Sequence, residues 1–192
     1  MRTIATIVFV TLLGITLLAA QRADEQKTPP VFEGKTTLLR PVNYREWIFV
    51  GSSRGLSYAT NPSAQNQGGM GEMYHNVYIT PNTYREFART GKFPEGTMLA
   101  MELASSDTKR EPGLQGSFEK ELIGLEVSVK DSSRFDSGWA YFNFSNGAGS
   151  AYKEKAEPFP VSAGCVSCHK QNGETDNVFT QFYPVLRAAK PK

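Results

Sequence analysis

Cysteine and histidine are scarce here, with two of each in 192 residues. Two histidines, His75 and His169, leave little room for a histidine-rich metal site. Two cysteines three apart allow at most one very small disulfide loop, which would stabilise little. An excess of charge of one sign is also missing: Lys and Arg number 21 against 19 Asp and Glu, for a formal net charge of +2. Those charges are scattered, so there is no electrostatic footprint for nucleic acid. Internal repeats and low-complexity tracts are absent. Long stretches of 3.6-residue period are absent too, which excludes a four-helix bundle. What remains is a chain of one domain, or one domain plus a targeting segment. Hydrophobic residues make up 40% of it, enough for a real core.

The informative stretch is A-G-C-V-S-C-H-K at residues 163–170, which holds both cysteines and one histidine. A structural zinc site needs four ligands, commonly from two Cys/His pairs, and only His75 could add to this one. A thioredoxin-like dithiol belongs in a βαβ unit, and no such pattern surrounds it. Cys-x-x-Cys-His is also the attachment pattern of c-type haem. In that pattern Cys165 and Cys168 add to the two vinyl groups and His169 ligates the iron. This reading uses all three residues.

The N-terminus fits export. Arg2 supplies a positive start, Ile4 to Ala20 carries no charge, and Leu18-Ala19-Ala20 offers a small residue at the cut. The apolar run is about 17 residues, at the lower edge of what spans a bilayer, so an uncleaved anchor is the alternative. Residues 1–20 are therefore expected to be a signal peptide, 21–38 a flexible leader and 39–192 the folded domain, in the periplasm.

Residues 74–79 are β-rich. Thr80-Pro81 starts a helix that closes at Thr90, with Gly91 past its end. In a strand over 97–106, Leu99, Met101 and Leu103 share one face, and Met98, Ala100, Glu102 and Ala104 the other. Residues 107–117 read as a hairpin loop. A second strand over 118–130 puts Ile123, Leu125, Val127 and Val129 on one face, and Leu122, Gly124, Glu126 and Ser128 on the other. A turn over 131–138 leads to a strand over 139–144, with aromatics on both faces, as in a strand buried on both sides. Residues 46–51 begin as helix and end as strand, and 178–189 have helical spacing interrupted by Pro184. The fold class is α+β, mainly antiparallel sheet with a few helices and the haem against one face.

Four segments carry a family resemblance: "YHNVYITPNTYREFARTGKFPEGTMLAM" at 74–101, "LIGLEVSVKD" at 122–131, "WAYF" at 139–142 and the closing "CVSCHK…FTQFYPVLRAA". Together they resemble the cytochrome P460 family, which includes the sheet-built cytochromes c′. The resemblance runs from about Pro41 onward. It implies a five-stranded antiparallel sheet, often a homodimer, with one covalently attached haem c. It also implies His169 as the proximal iron ligand and an open or weakly held position opposite. Members that oxidise hydroxylamine carry a lysine joined to the porphyrin edge. The c′-type members lack it and bind nitric oxide or carbon monoxide behind an apolar cap. The matching position here is Met101, which has no amine to form that bridge. Glu126 matches the distal carboxylate of active members and is the candidate catalytic group.

Each assignment has a plainer alternative. Met101 can pack against the macrocycle as an adaptable core residue or ligate iron through its thioether. Glu126 can sit on a solvated sheet face or take protons from bound hydroxylamine. His75 is a structural histidine or a second axial ligand. Arg187 pairs with the cofactor or is a surface cation near a helix end. Met70 and Met73 are gap fillers or approach the haem. Phe118, Phe142 and Phe144 could cap the distal side. Three functions follow: binding of nitric oxide, oxidation of hydroxylamine with a redox partner cytochrome, or electron transfer by a six-coordinate haem. They differ in whether the sixth iron position is open, and in what stands over it.

Overall fold

The computed structural model of the protein describes residues 30–56, 72–147 and 151–191. The expected signal at 1–20, residues 21–29 of the expected leader and the loop holding Met70 lie outside these residues. The main sheet has five strands: β3 (Ile48–Arg54), β4 (Met73–Ile79), β5 (Met98–Lys109), β6 (Gly116–Lys130) and β7 (Trp139–Asn143). They neighbour one another in chain order, and every pairing is antiparallel. Three short strands, β1 (Phe32–Glu33), β2 (Thr37–Leu39) and β8 (Lys155–Ala156), make a second sheet. Helix α1 (Pro81–Thr90) links β4 to β5, α2 (Cys165–Asn172) carries the cysteine motif, and α3 (Pro184–Ala189) closes the chain. The α+β expectation holds.

Local chemistry explains most boundaries. Pro81 opens α1, where a missing N–H costs nothing, and Gly91 ends it in the left-handed region at φ 71°. Thr80 stands at the cap position, but its hydroxyl donates to Thr83 Oγ1 at 2.9 Å rather than accepting a backbone N–H. The expected hairpin loop is shorter than 107–117, because pairing continues through Lys109 and Gly116. Pro184 interrupts nothing; it is the first residue of α3. β1 and most of β2 fall within the 21–38 segment read as leader. Phe32 pairs with Leu38 and Leu38 with Ala156, and Leu38 is fully buried. Leu38 gives that segment something to bury, while Leu39 next to it stays exposed.

Register settles which side chains meet, because residues directly opposite each other share a face. Val77 is opposite Met101, Met101 opposite Glu126, and Glu126 opposite Asn143. The adjacent rung on that face is Ile79, Leu99, Ser128 and Tyr141. The other face carries Ala100, Leu125, Val127 and Phe142, packed against Leu38, Tyr44 and Trp47 from the N-terminal segment. Full burial of one large apolar side chain stabilises by about 1.5–3 kcal/mol. β7 is buried along Trp139–Phe142, because the N-terminal segment covers one side of the sheet and the C-terminal segment the other.

Candidate functional site

A cleft opens between the second face of the sheet and the C-terminal segment. Its sheet wall is Val77, Leu99, Met101, Glu126, Ser128 and Tyr141, from the two rungs just described. Its other wall is His169, Asn177, Val178, Phe179 and Tyr183. It encloses about 520 Å³ of non-atom space, part of it open solvent. Thus Met101, Glu126 and His169, separated by up to 68 positions in the chain, face one space. The C-terminal segment can lie this close because of Gly51: a Cβ there would meet Pro184 Cδ at 3.0 Å and Tyr183 Cα at 3.3 Å.

His169 is fixed from several sides. Its ring centroid lies 4.3 Å from that of Tyr141 and 4.5 Å from that of Phe179. Burial holds its pKa below the ordinary histidine value, against the opposing pull of a hydrogen bond to Asn177. In that bond Nδ1 lies 2.9 Å from the Asn177 carbonyl oxygen. A carbonyl only accepts, so Nδ1 carries the proton and Nε2 the lone pair of the neutral ring. This is the tautomer a metal-ligating histidine needs. The carbonyl is presented by a turn in which Asp176 and Asn177 have φ of 48° and 63°. Gly173 gives that turn its room: a Cβ there would come within 2.7 Å of both Asn177 C and His169 O.

Cys165 and Cys168 are unpaired, half-buried thiols. Cys165 packs against the same core cluster as Met101. Burial pushes the Cys165 thiol up, and the nearby Glu126 charge adds to this. Glu126 itself is raised above the ordinary carboxylic value by burial. It therefore lies off the solvated surface, where the charged form is disfavoured.

The other sequence candidates lie elsewhere. Arg187 is exposed, and its Nη1 donates to the Gln181 carbonyl, outside the cleft lining. Adjacent Leu186 takes the inward side of α3. His75 is half-buried opposite Leu103, one rung beyond the lining residues. Met73 begins β4 and does not line the cleft. Phe118 is 47% exposed, and Phe142 and Phe144 belong to the core on the opposite face. The alternation along β6 and β7 that brings Glu126 in turns Phe142 away. Phe179, Tyr141, Tyr183 and Asn177 were not among the sequence candidates. The Asp-Asn pair soon after the motif was the available signal, since these residues tolerate left-handed turns.

Fold and cleft define a sheet protein with a Cys-x-x-Cys-His helix packed over one face. The family model for cytochrome P460 matches residues 41–180, and the chain belongs to that haem-binding family. No curated protein matches it. The donor chemistry fits a haem. Both thiols are unpaired, the imidazole is in the ligating tautomer, and Val77, Leu99, Met101, Val178 and Phe179 give the cleft apolar wall. A zinc site does not fit, because among the described residues no three His, Cys, Asp or Glu side chains gather as an ion site.

Proposed function

We propose that the protein is an exported, periplasmic cytochrome with one haem c, joined through Cys165 and Cys168 and ligated by His169. Its open position would take nitric oxide or hydroxylamine. The observation that carries this is Glu126, among the described residues the one carboxylate lining the cleft, desolvated on the wall across from His169. Haem supplies an iron that binds nitrogen oxides and exchanges electrons. The protein's own groups then have separable tasks. His169, oriented by Asn177, holds the iron. Leu99, Met101 and Val77 exclude water. Glu126 accepts the protons that hydroxylamine loses as it is oxidised. A homodimer and an electron-accepting partner cytochrome belong to the same proposal.

Turnover of hydroxylamine with a dye acceptor tests it. Glu126→Ala should lower turnover by about 10²–10⁴, the range for losing a proton-transfer group, while nitric oxide still binds. Parent-level turnover in Glu126→Ala would remove the proton-acceptor role. Met101 lines the same cleft, which supports a second reading as a six-coordinate electron carrier with the thioether on iron. In that case Met101→Ala would open the site to nitric oxide and the parent would not bind it.

A further inference from the structure

We propose that Asp176 is a positioning residue that sets the donor strength of His169, through a clamp built on one rung of the sheet. This rests on His169 being the iron ligand. Lys130 and Trp139 are directly opposite one another on β6 and β7. Both reach the same carboxylate: Lys130 Nζ lies 2.7 Å from Asp176 Oδ2, and Trp139 Nε1 donates to Asp176 Oδ1 at 3.3 Å. Lys130 Nζ also donates to the Phe93 carbonyl at 2.8 Å, which fixes the ammonium independently of Asp176. Trp139 is 2% exposed and packs edge-on against Phe93. The clamp therefore stands on rigid structure.

What it holds is a turn that a side chain enters only at a cost. Asp176 and Asn177 are both left-handed, and two such residues in sequence do not persist without support. The product of that backbone shape is the Asn177 carbonyl 2.9 Å from His169 Nδ1. A carbonyl accepting from Nδ1–H raises the basicity of Nε2, and outer partners of this kind typically matter by 10–100-fold. Asp176 is not itself among the cleft-lining residues; its neighbour Asn177 is. It acts by keeping Asn177 where it is.

The test uses the full haem-loaded chain, with Asp176→Ala, Asp176→Asn and Trp139→Phe. Two readouts belong to the iron–histidine bond rather than to turnover: the ferrous iron–histidine stretching band in resonance Raman, and the reduction potential. Asp176→Ala should move the band to lower frequency and shift the ferric–ferrous balance about tenfold toward ferrous, about 59 mV for one electron. Asp176→Asn keeps an acceptor for Trp139 and should fall between Ala and parent. A purely structural role would lower stability or haem content and leave both readouts at parent values; that result in haem-replete Asp176→Ala overturns the proposal. Should Asp176→Ala fail to take up haem, Trp139→Phe removes the 3.3 Å bond and part of the packing on Phe93 while leaving the Lys130–Asp176 contact in place. It should shift both readouts less, in the same direction, and no shift overturns the proposal. If a sixth ligand hides the band, the potential carries the comparison. A parent protein without covalent haem would instead refute the haem assignment, before any variant is compared.

Discussion

Glu126 carries a consequence for stability that is separate from chemistry. Burial raises its folded pKa above the ordinary value of 4.5, so the folded state binds the proton more tightly than the unfolded chain. That contribution is fully present below about pH 4.5 and is lost as pH rises through the elevated folded value. Glu126→Gln removes it. The variant should gain on the parent as pH increases from 4.5 upward, by roughly 1.4 kcal/mol for each unit of elevation. Denaturant unfolding of both proteins across pH measures this; a constant difference would mean that Glu126 is solvated in the fold. On the opposite face, Tyr44 and Arg45 both donate to Glu102, which is only 4% exposed. Tyr44→Phe leaves that buried carboxylate one donor short and should cost about 1–3 kcal/mol in urea unfolding. Glu102 and Glu126 look alike in the sequence, each within an alternating strand. Period-2 counting assigned the face of each residue but not which face held the cleft; the resemblance, not the pattern, singled out Glu126.

At the scale of elements, the long strands and α1 were legible because each has a local signature. β5 and β6 alternate, and α1 has proline at its start and glycine at its end. Their register brings Met101 beside Glu126, something no single strand reveals. The segment after α2 was the least legible part. Helical spacing over 178–189 suggested one interrupted helix, whereas the chain makes a 3-10 turn at Thr180–Phe182 and then α3. The preceding turn owes its shape to Gly173, to left-handed Asp176 and Asn177, and to Lys130, which is 46 residues away. Gly173→Ala should therefore destabilise by about 1–3 kcal/mol through overpacking. It should also lengthen the His169–Asn177 hydrogen bond. Denaturant midpoints and the histidine Nδ1–H resonance in NMR report the two effects; an unchanged midpoint would show that the turn yields without cost.

For the whole molecule, the sheet is a partition. The N-terminal strands and Tyr44–Trp47 cover one face, and the Cys-x-x-Cys-His helix and its return segment cover the other. In the N-terminal layer Leu38 follows a polar stretch and gives little signal until β8, over 100 residues later, supplies the partner strand. Leu38→Ala should cost about 2–5 kcal/mol, as for any fully buried leucine, in thermal or denaturant unfolding. A cost below 1 kcal/mol would mean that this layer is dispensable to the fold. In the proposed function the other layer holds the haem: His169 would ligate iron from the C-terminal wall, and the sheet wall of Met101 and Glu126 would face the ligand. The most direct test is the optical spectrum of the purified ferrous protein, with and without nitric oxide. A covalently bound, high-spin haem that takes up nitric oxide is the result expected. A low-spin haem indifferent to nitric oxide, or a protein without covalent haem, would contradict it.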